Sequence, residues 1–235
     1  MSHNNRPETT LQPFSDPQAV ARYAEGPIKL VPGFHALQEM ASILLAECVG
    51  ATGRVLVLGA GGGLELKLFA ERHPGWRFLG VDPSAEMLAL ARSTLGPLVS
   101  RVDFHEGYID TAPVEQFDAA TCLLTLHFVP AAERLRTLVE LRQRLKPGAP
   151  LVVAHHSFPH ADDEKVRWLK RYVAFSVASG VSAANADNAI EAISARLPIL
   201  SPEEDEALLR EAGFGVVELF YAGFTFKGWV AYQRK

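Results

Sequence analysis

Apolar residues in this chain fall into short runs that alternate with helical patterns. Val55-Leu56-Val57-Leu58 is a continuous apolar run that stops at Gly59-Ala60-Gly61-Gly62-Gly63. Such a run, bounded by turn residues, predicts a strand buried on both faces. Leu64 to Ala70 follows with helical spacing, and Trp76 to Val81 predicts a second strand that ends at Asp82. Strands and helices keep alternating to about residue 157, the pattern of a parallel sheet covered on both faces. Upstream, residues 16–25 and 34–49 are helical patterns interrupted at Gly26-Pro27 and Pro32-Gly33. Two further helical stretches, Asp163–Ser179 and Ala184–Arg196, break the alternation. Ser201-Pro202-Glu203-Glu204 opens another helix, with serine as cap, proline in the first turn and acids near the positive end. Gly215–Tyr221 and Phe224–Gln233 are strand-like and are joined at Ala222-Gly223. So short a link requires an antiparallel hairpin, because a parallel return needs a crossover of a dozen or more residues. The expected fold is α/β: a doubly wound, mostly parallel sheet finished by an antiparallel hairpin strand.

The chemistry concentrates at the glycine loop. Glycine permits a sharp turn and close approach of a ligand. The helix that follows points free N–H groups and a partial positive charge at the same place. An acid at the tip of the next strand, Asp82, is placed to accept hydrogen bonds from a ribose diol. The loop does not read G-x-G-x-x-G, since Leu64 or Leu66 occupies the sixth position. It reads G-x-G-x-G at Gly59, Gly61 and Gly63. The combination predicts a nucleoside-cofactor site other than the dinucleotide kind.

Composition narrows the class. The chain has 235 residues, 48% hydrophobic, which suffices for one large domain over residues 1–235. Its net charge is −4, and no Lys/Arg run stands out, so nucleic acid is not an expected partner. Cys48 and Cys122 are too few for a disulfide framework, and no tight metal-ligand motif is present. Residues 1–14 read as a polar, flexible tail without an apolar signal region, and no apolar stretch is long enough to cross a bilayer. A cytoplasmic location is expected.

Several motifs resemble those of the class I S-adenosylmethionine (SAM)-dependent methyltransferases: the glycine loop, Phe78-Leu79-Gly80-Val81-Asp82-Pro83, Phe117-Asp118-Ala119-Ala120 and Leu145-Lys146-Pro147-Gly148. They occur in the family's order across roughly residues 50–157. The resemblance implies a Rossmann-like, seven-stranded sheet and SAM as cofactor, with S-adenosylhomocysteine as product. It places Gly59, Ala60, Gly61 and Gly63 along the methionyl and ribose part, and Asp82 on the ribose hydroxyls. It puts Pro83 and Met87 on one side of the adenine, Gly107, Tyr108 and Ile109 on the other, and Leu123, Leu124 and Thr125 beneath the methionine. Tyr23 lies in an N-terminal lid, residues 15–49, and either reaches the cofactor or packs its helix onto the sheet.

Val31-Pro32-Gly33-Phe34 and Thr125 to Arg134 resemble a narrower branch, the carboxy-SAM synthases of tRNA wobble-uridine modification. The arginine of that branch that pairs with the added carboxylate falls near Ala192 here, with Arg196 the nearest arginine. Its asparagine at the tip of strand four falls at Leu123. These departures make SAM the expected donor and methyl transfer to a small-molecule O or N nucleophile the expected reaction. A carboxy-SAM synthase or a non-catalytic SAM-binding protein are the alternatives. His127 and His156, at the carboxyl ends of strands four and five, are the candidate bases, each with the alternative of an ordinary buried histidine. Residues 159–200 read as a helical insertion beside the substrate pocket, serving as its cap or as a homodimer face.

Overall fold

The computed structural model describes residues 25–186, 193 and 197–234. The first described elements are the helices α1 (Glu25–Leu30) and α2 (Phe34–Ala46). Gly26-Pro27, read as a break, lies inside the first turn of α1. Proline is tolerated there because its missing N–H would have had no intrahelical partner. The break falls instead at Val31-Pro32-Gly33, where Gly33 takes φ 66° and starts α2. Residues 16–24, including Tyr23, lie outside the described residues.

The alternating segment folds as β1 (Gly53–Leu58), α3 (Leu64–Arg72), β2 (Trp76–Asp82), α4 (Ala85–Leu95), β3 (Val102–Glu106), β4 (Ala119–Leu123), α5 (Ala131–Gln143) and β5 (Pro150–His156). Then come α6 (Asp162–Ala178), α7 (Pro202–Glu211), β6 (Phe214–Gly223) and β7 (Phe226–Gln233). The sheet has seven strands in the order β3-β2-β1-β4-β5-β7-β6. β1 to β5 pair in parallel, and β7 runs antiparallel to β5 and β6. The order reverses at β1, which lies between β2 and β4. That reversal creates the crevice in which open α/β sheets bind ligands.

The continuous apolar runs are explained by burial on both faces. Val55 and Val57 join the core beneath α2, α3 and α4, whereas Leu56 and Leu58 join the core beneath α5 and α7. Val152 and Ala154 of β5 face the first core, and Leu151 and Val153 the second. The hairpin turns at Phe224-Thr225, not at Ala222-Gly223, because Ala222 and Gly223 continue the ladder opposite Lys227 and Phe226. Gly223 is required for packing: a Cβ there would stand 2.3 Å from the Tyr221 hydroxyl. Tyr221 in turn donates to the Pro32 carbonyl at 2.5 Å and ties the hairpin to the α1–α2 turn.

α7 opens with a full capping box, in which the Ser201 hydroxyl accepts from the Glu204 N–H and the Glu204 carboxylate accepts from the Ser201 N–H. It is held against α5 by a buried polar cluster. Arg134, 1% exposed, donates to the carbonyls of Val129 and Pro198 and lies 3.5 Å from Asp205, itself 4% exposed. His155 Nε2 stands 3.1 Å from the same carboxylate. Removing one member of such a cluster strands the others away from water. Arg134→Ala is therefore expected to lower unfolding stability by about 3–5 kcal/mol. Urea titration checks this, and a loss below about 1 kcal/mol would show that the cluster is not a structural clamp.

Candidate cofactor-binding site

β1 and β2 deliver the two halves of the site to the same edge of the sheet. The Gly59 and Ala60 N–H groups donate to Val81 O at 2.8 and 3.1 Å, so the loop begins bonded to the second strand. The loop then turns with φ 76° at Gly59, 49° at Gly61 and 79° at Gly63, values that side chains with a Cβ rarely adopt. Two of these glycines also answer to packing within the protein. A Cβ on Gly59 would lie 2.0 Å from Thr125 Oγ1, and one on Gly63 2.8 Å from the Ala91 backbone.

Asp82 is 9% exposed and uses both oxygens. Oδ2 accepts the Gly61 N–H at 2.9 Å and Oδ1 accepts the Ser84 N–H at 2.9 Å. Burial raises its pKa, and these two amide bonds oppose the rise. Each carboxylate oxygen has a second lone pair, so the group can still receive a diol. Ser84 also caps α4 by accepting from the Met87 N–H, which fixes Met87 beside the loop.

A cleft opens in front of Asp82. Of the residues expected at a cofactor, Gly59, Gly61, Asp82, Pro83, Met87, Gly107, Tyr108, Ile109 and Leu124 all line it. A smaller cavity lies on the other side of Gly59, lined by Ala60, Leu123 and Leu124 together with Phe34, Leu37 and Gln38 of α2 and Glu65 of α3. Gly63 lines neither. Leu124 borders both cavities and has φ 56°, a conformation that costs a non-glycine residue about 1–3 kcal/mol. Thr125, expected beneath the methionine, lines the cleft as well, whereas residue-by-residue reading missed Phe128, Val129, Glu133 and Arg136, which extend it from the end of β4 onto α5. It also missed Gln38 and Glu65, whose places depend on how two helices pack over the loop.

The three histidines sit deeper. His155 and His156 face opposite sides of β5, as adjacent strand residues must. His155 packs against Trp229, while His156 stacks on Phe226 with ring centroids 3.9 Å apart. His127 Nδ1 accepts the His156 N–H at 3.4 Å, and Thr225 Oγ1 lies 3.1 Å from His156 Nδ1. Neither His127 nor His156 borders the cleft or the smaller cavity. Burial pushes the His156 imidazole down to about 3 and lowers that of His127 well below its ordinary range.

Comparison with known proteins agrees with this geometry. Residues 55–148 match the family model described as a methyltransferase domain. A carboxy-S-adenosyl-L-methionine synthase of Wolinella succinogenes is 30% identical over 199 residues, spanning 83% of this chain and 82% of that protein. The chain belongs to the class I SAM-dependent methyltransferase family. It is an enzyme of that family, and SAM is its cofactor. Among solved structures, a methyltransferase in complex with a Haloferax volcanii methyltransferase activator superposes with a TM-score of 0.67 at 20% identity, covering 98% of this chain and 99% of that one. Human N-acetylserotonin methyltransferase in complex with SAM superposes with a TM-score of 0.62 at 16% identity, covering 97% of this chain and 59% of that one. No helix among the described residues is long and apolar enough to cross a membrane.

Two outcomes test this family member's site. Asp82→Ala is expected to weaken SAM binding about tenfold or more, since hydrogen bonds to a charged group are worth roughly 1.5–3 kcal/mol. Calorimetry that finds wild-type affinity would remove Asp82 from the site. The second concerns acid stability. The unfolded chain protonates its histidines below about pH 6.5, whereas folded His156 stays neutral to about pH 3. Between those limits the unfolded state binds more protons, so stability falls as pH drops, by up to about 1.4 kcal/mol per pH unit for each such histidine. His156→Gln is expected to flatten the slope of unfolding free energy between pH 6.5 and 4. An unchanged slope would contradict the neutral, buried assignment.

Proposed function

We propose that this enzyme transfers the methyl group of SAM to a small-molecule nucleophile, with Asp82 holding the ribose. In this reading Pro83, Met87, Gly107, Tyr108 and Ile109 enclose the adenine, and Ala60, Leu123 and Leu124 border the methionyl end. The observation that carries the small-molecule assignment is the cover over the smaller cavity. Phe34, Leu37 and Gln38 of α2 wall it, and all three are buried. α6 closes the neighbouring end of β5, where Tyr172 packs edge-on to the His156 ring. An acceptor that reaches the sulfonium beneath α2 must be small. A sulfonium methyl is already activated, so alignment of the nucleophile on the S–CH3 axis does most of the work. Orientation of this kind supplies about 7–11 kcal/mol in favourable cases. His127 and His156 border neither cavity, so a base role for either would require the packing around them to rearrange. The absence of any Lys/Arg run further favours a small molecule over nucleic acid.

A second reading, synthesis of a carboxylated SAM, is favoured by the name and 30% identity of the Wolinella succinogenes relative. Against it stands Leu123, an apolar side chain at the tip of β4, where that branch has asparagine. Mass spectrometry of the ligand released from purified, denatured protein separates the two. SAM or S-adenosylhomocysteine is expected, and a species heavier by one carboxylate would replace the first reading by the second. With methyl-labelled SAM and a metabolite panel, label is expected in a small product. Retention of all label on SAM despite tight binding would contradict methyl transfer.

A further inference from the structure

Glu65 is the one acid in the wall of the smaller cavity, and the site described so far gives it no task. It sits in the first turn of α3, 8% exposed, with its side chain turned under the glycine loop toward β4. Oε1 accepts the Thr121 hydroxyl at 2.8 Å, and Glu65 makes no other side-chain hydrogen bond among the described residues. A buried carboxyl with one neutral donor and no cation is costly to keep as an anion. Burial accordingly pushes it up to about 8, and the Thr121 bond only partly offsets that rise. The groups facing it do not supply a countercharge. Gln38 of α2 is neutral, Thr121 is a hydroxyl, and the Cys122 thiol of β4 is kept neutral by burial.

Resting on the SAM reading above, we propose that Glu65 is the receptor for the α-ammonium group of the cofactor's methionyl end, and that it gives up its proton to solvent when that ammonium arrives. The cavity lies across Gly59 from the Asp82 cleft, so a nucleoside held at Asp82 projects its thioether side toward it. The step balances in charge. A neutral Glu65 and an R–NH3+ group become a carboxylate–ammonium pair, and one proton leaves to water. The start of α3 favours the anion once the ammonium has replaced the missing countercharge.

The consequence is proton-linked binding that depends on the amino-acid end of the ligand. Calorimetric titration with SAM at pH 7, repeated in buffers of different ionisation enthalpy, reads the proton count directly. Wild type is expected to release about one proton per SAM. 5′-Methylthioadenosine keeps the nucleoside and thioether but lacks the amino acid, and it is expected to release none. Glu65→Gln keeps the shape and the acceptor for Thr121. It is expected to lose the proton release, to weaken SAM about 10- to 100-fold, and to bind 5′-methylthioadenosine as wild type does. That last measurement also shows that the variant has an intact cleft. Wild-type SAM binding without proton release, or equal SAM affinity in Glu65→Gln, would overturn the Glu65 assignment alone. Failure of wild type to bind either nucleoside would overturn the cofactor reading and this inference together.

Discussion

The bond from the Gly61 amide to Asp82 Oδ2 couples the two strand tips that make the site. The Gly59 and Ala60 amides tie the start of the loop to Val81, and this bond carries the tie to the middle of the loop. With it, the loop, the end of β2 and the start of α4 form one unit, because Asp82 Oδ1 also holds the Ser84 N–H and Ser84 caps α4. The Asp82 carboxylate therefore builds the cleft before any ligand is present. Ligand bonds add to an arrangement whose ordering cost has been met during folding. The tight approach of Gly59 to Thr125 extends the unit to the end of β4, where strained Leu124 divides the cleft from the smaller cavity.

Much of this was legible from local pattern. The continuous run of β1 states burial on two faces, and the Ser201 cap with Glu204 marks the start of α7 to the residue. The hairpin was legible in topology and misplaced in its turn. Ala222-Gly223 has turn composition, but its glycine is demanded by the Tyr221 ring, and Phe224 takes the positive φ of 50° instead. Gly26-Pro27 misled in the same way, since proline breaks a helix interior but fits its first turn.

The part of the site on the glycine loop and Asp82 could be read because those residues are adjacent in the motif that positions them. Glu65, Gln38 and the α5 residues could not, because no spacing rule says which helical face turns toward a cavity. The histidines show the converse. Topology placed His127 and His156 at the ligand edge of the sheet, but tertiary packing buried both rings, His127 against His156 and His156 on Phe226. Position along a strand identifies the edge of the sheet, and the depth of a side chain follows only from its neighbours.

The central claim is that one ligand spans both cavities, with Asp82 at the ribose and the methionyl end beyond Gly59. A crystal structure of the protein with S-adenosylhomocysteine tests it most directly. The account requires both ribose hydroxyls within about 3 Å of the Asp82 carboxylate and the amino-acid end between Leu123, Gln38 and Glu65. A nucleoside bound outside this cleft, or a methionyl chain that turns away from the smaller cavity into solvent, would contradict it.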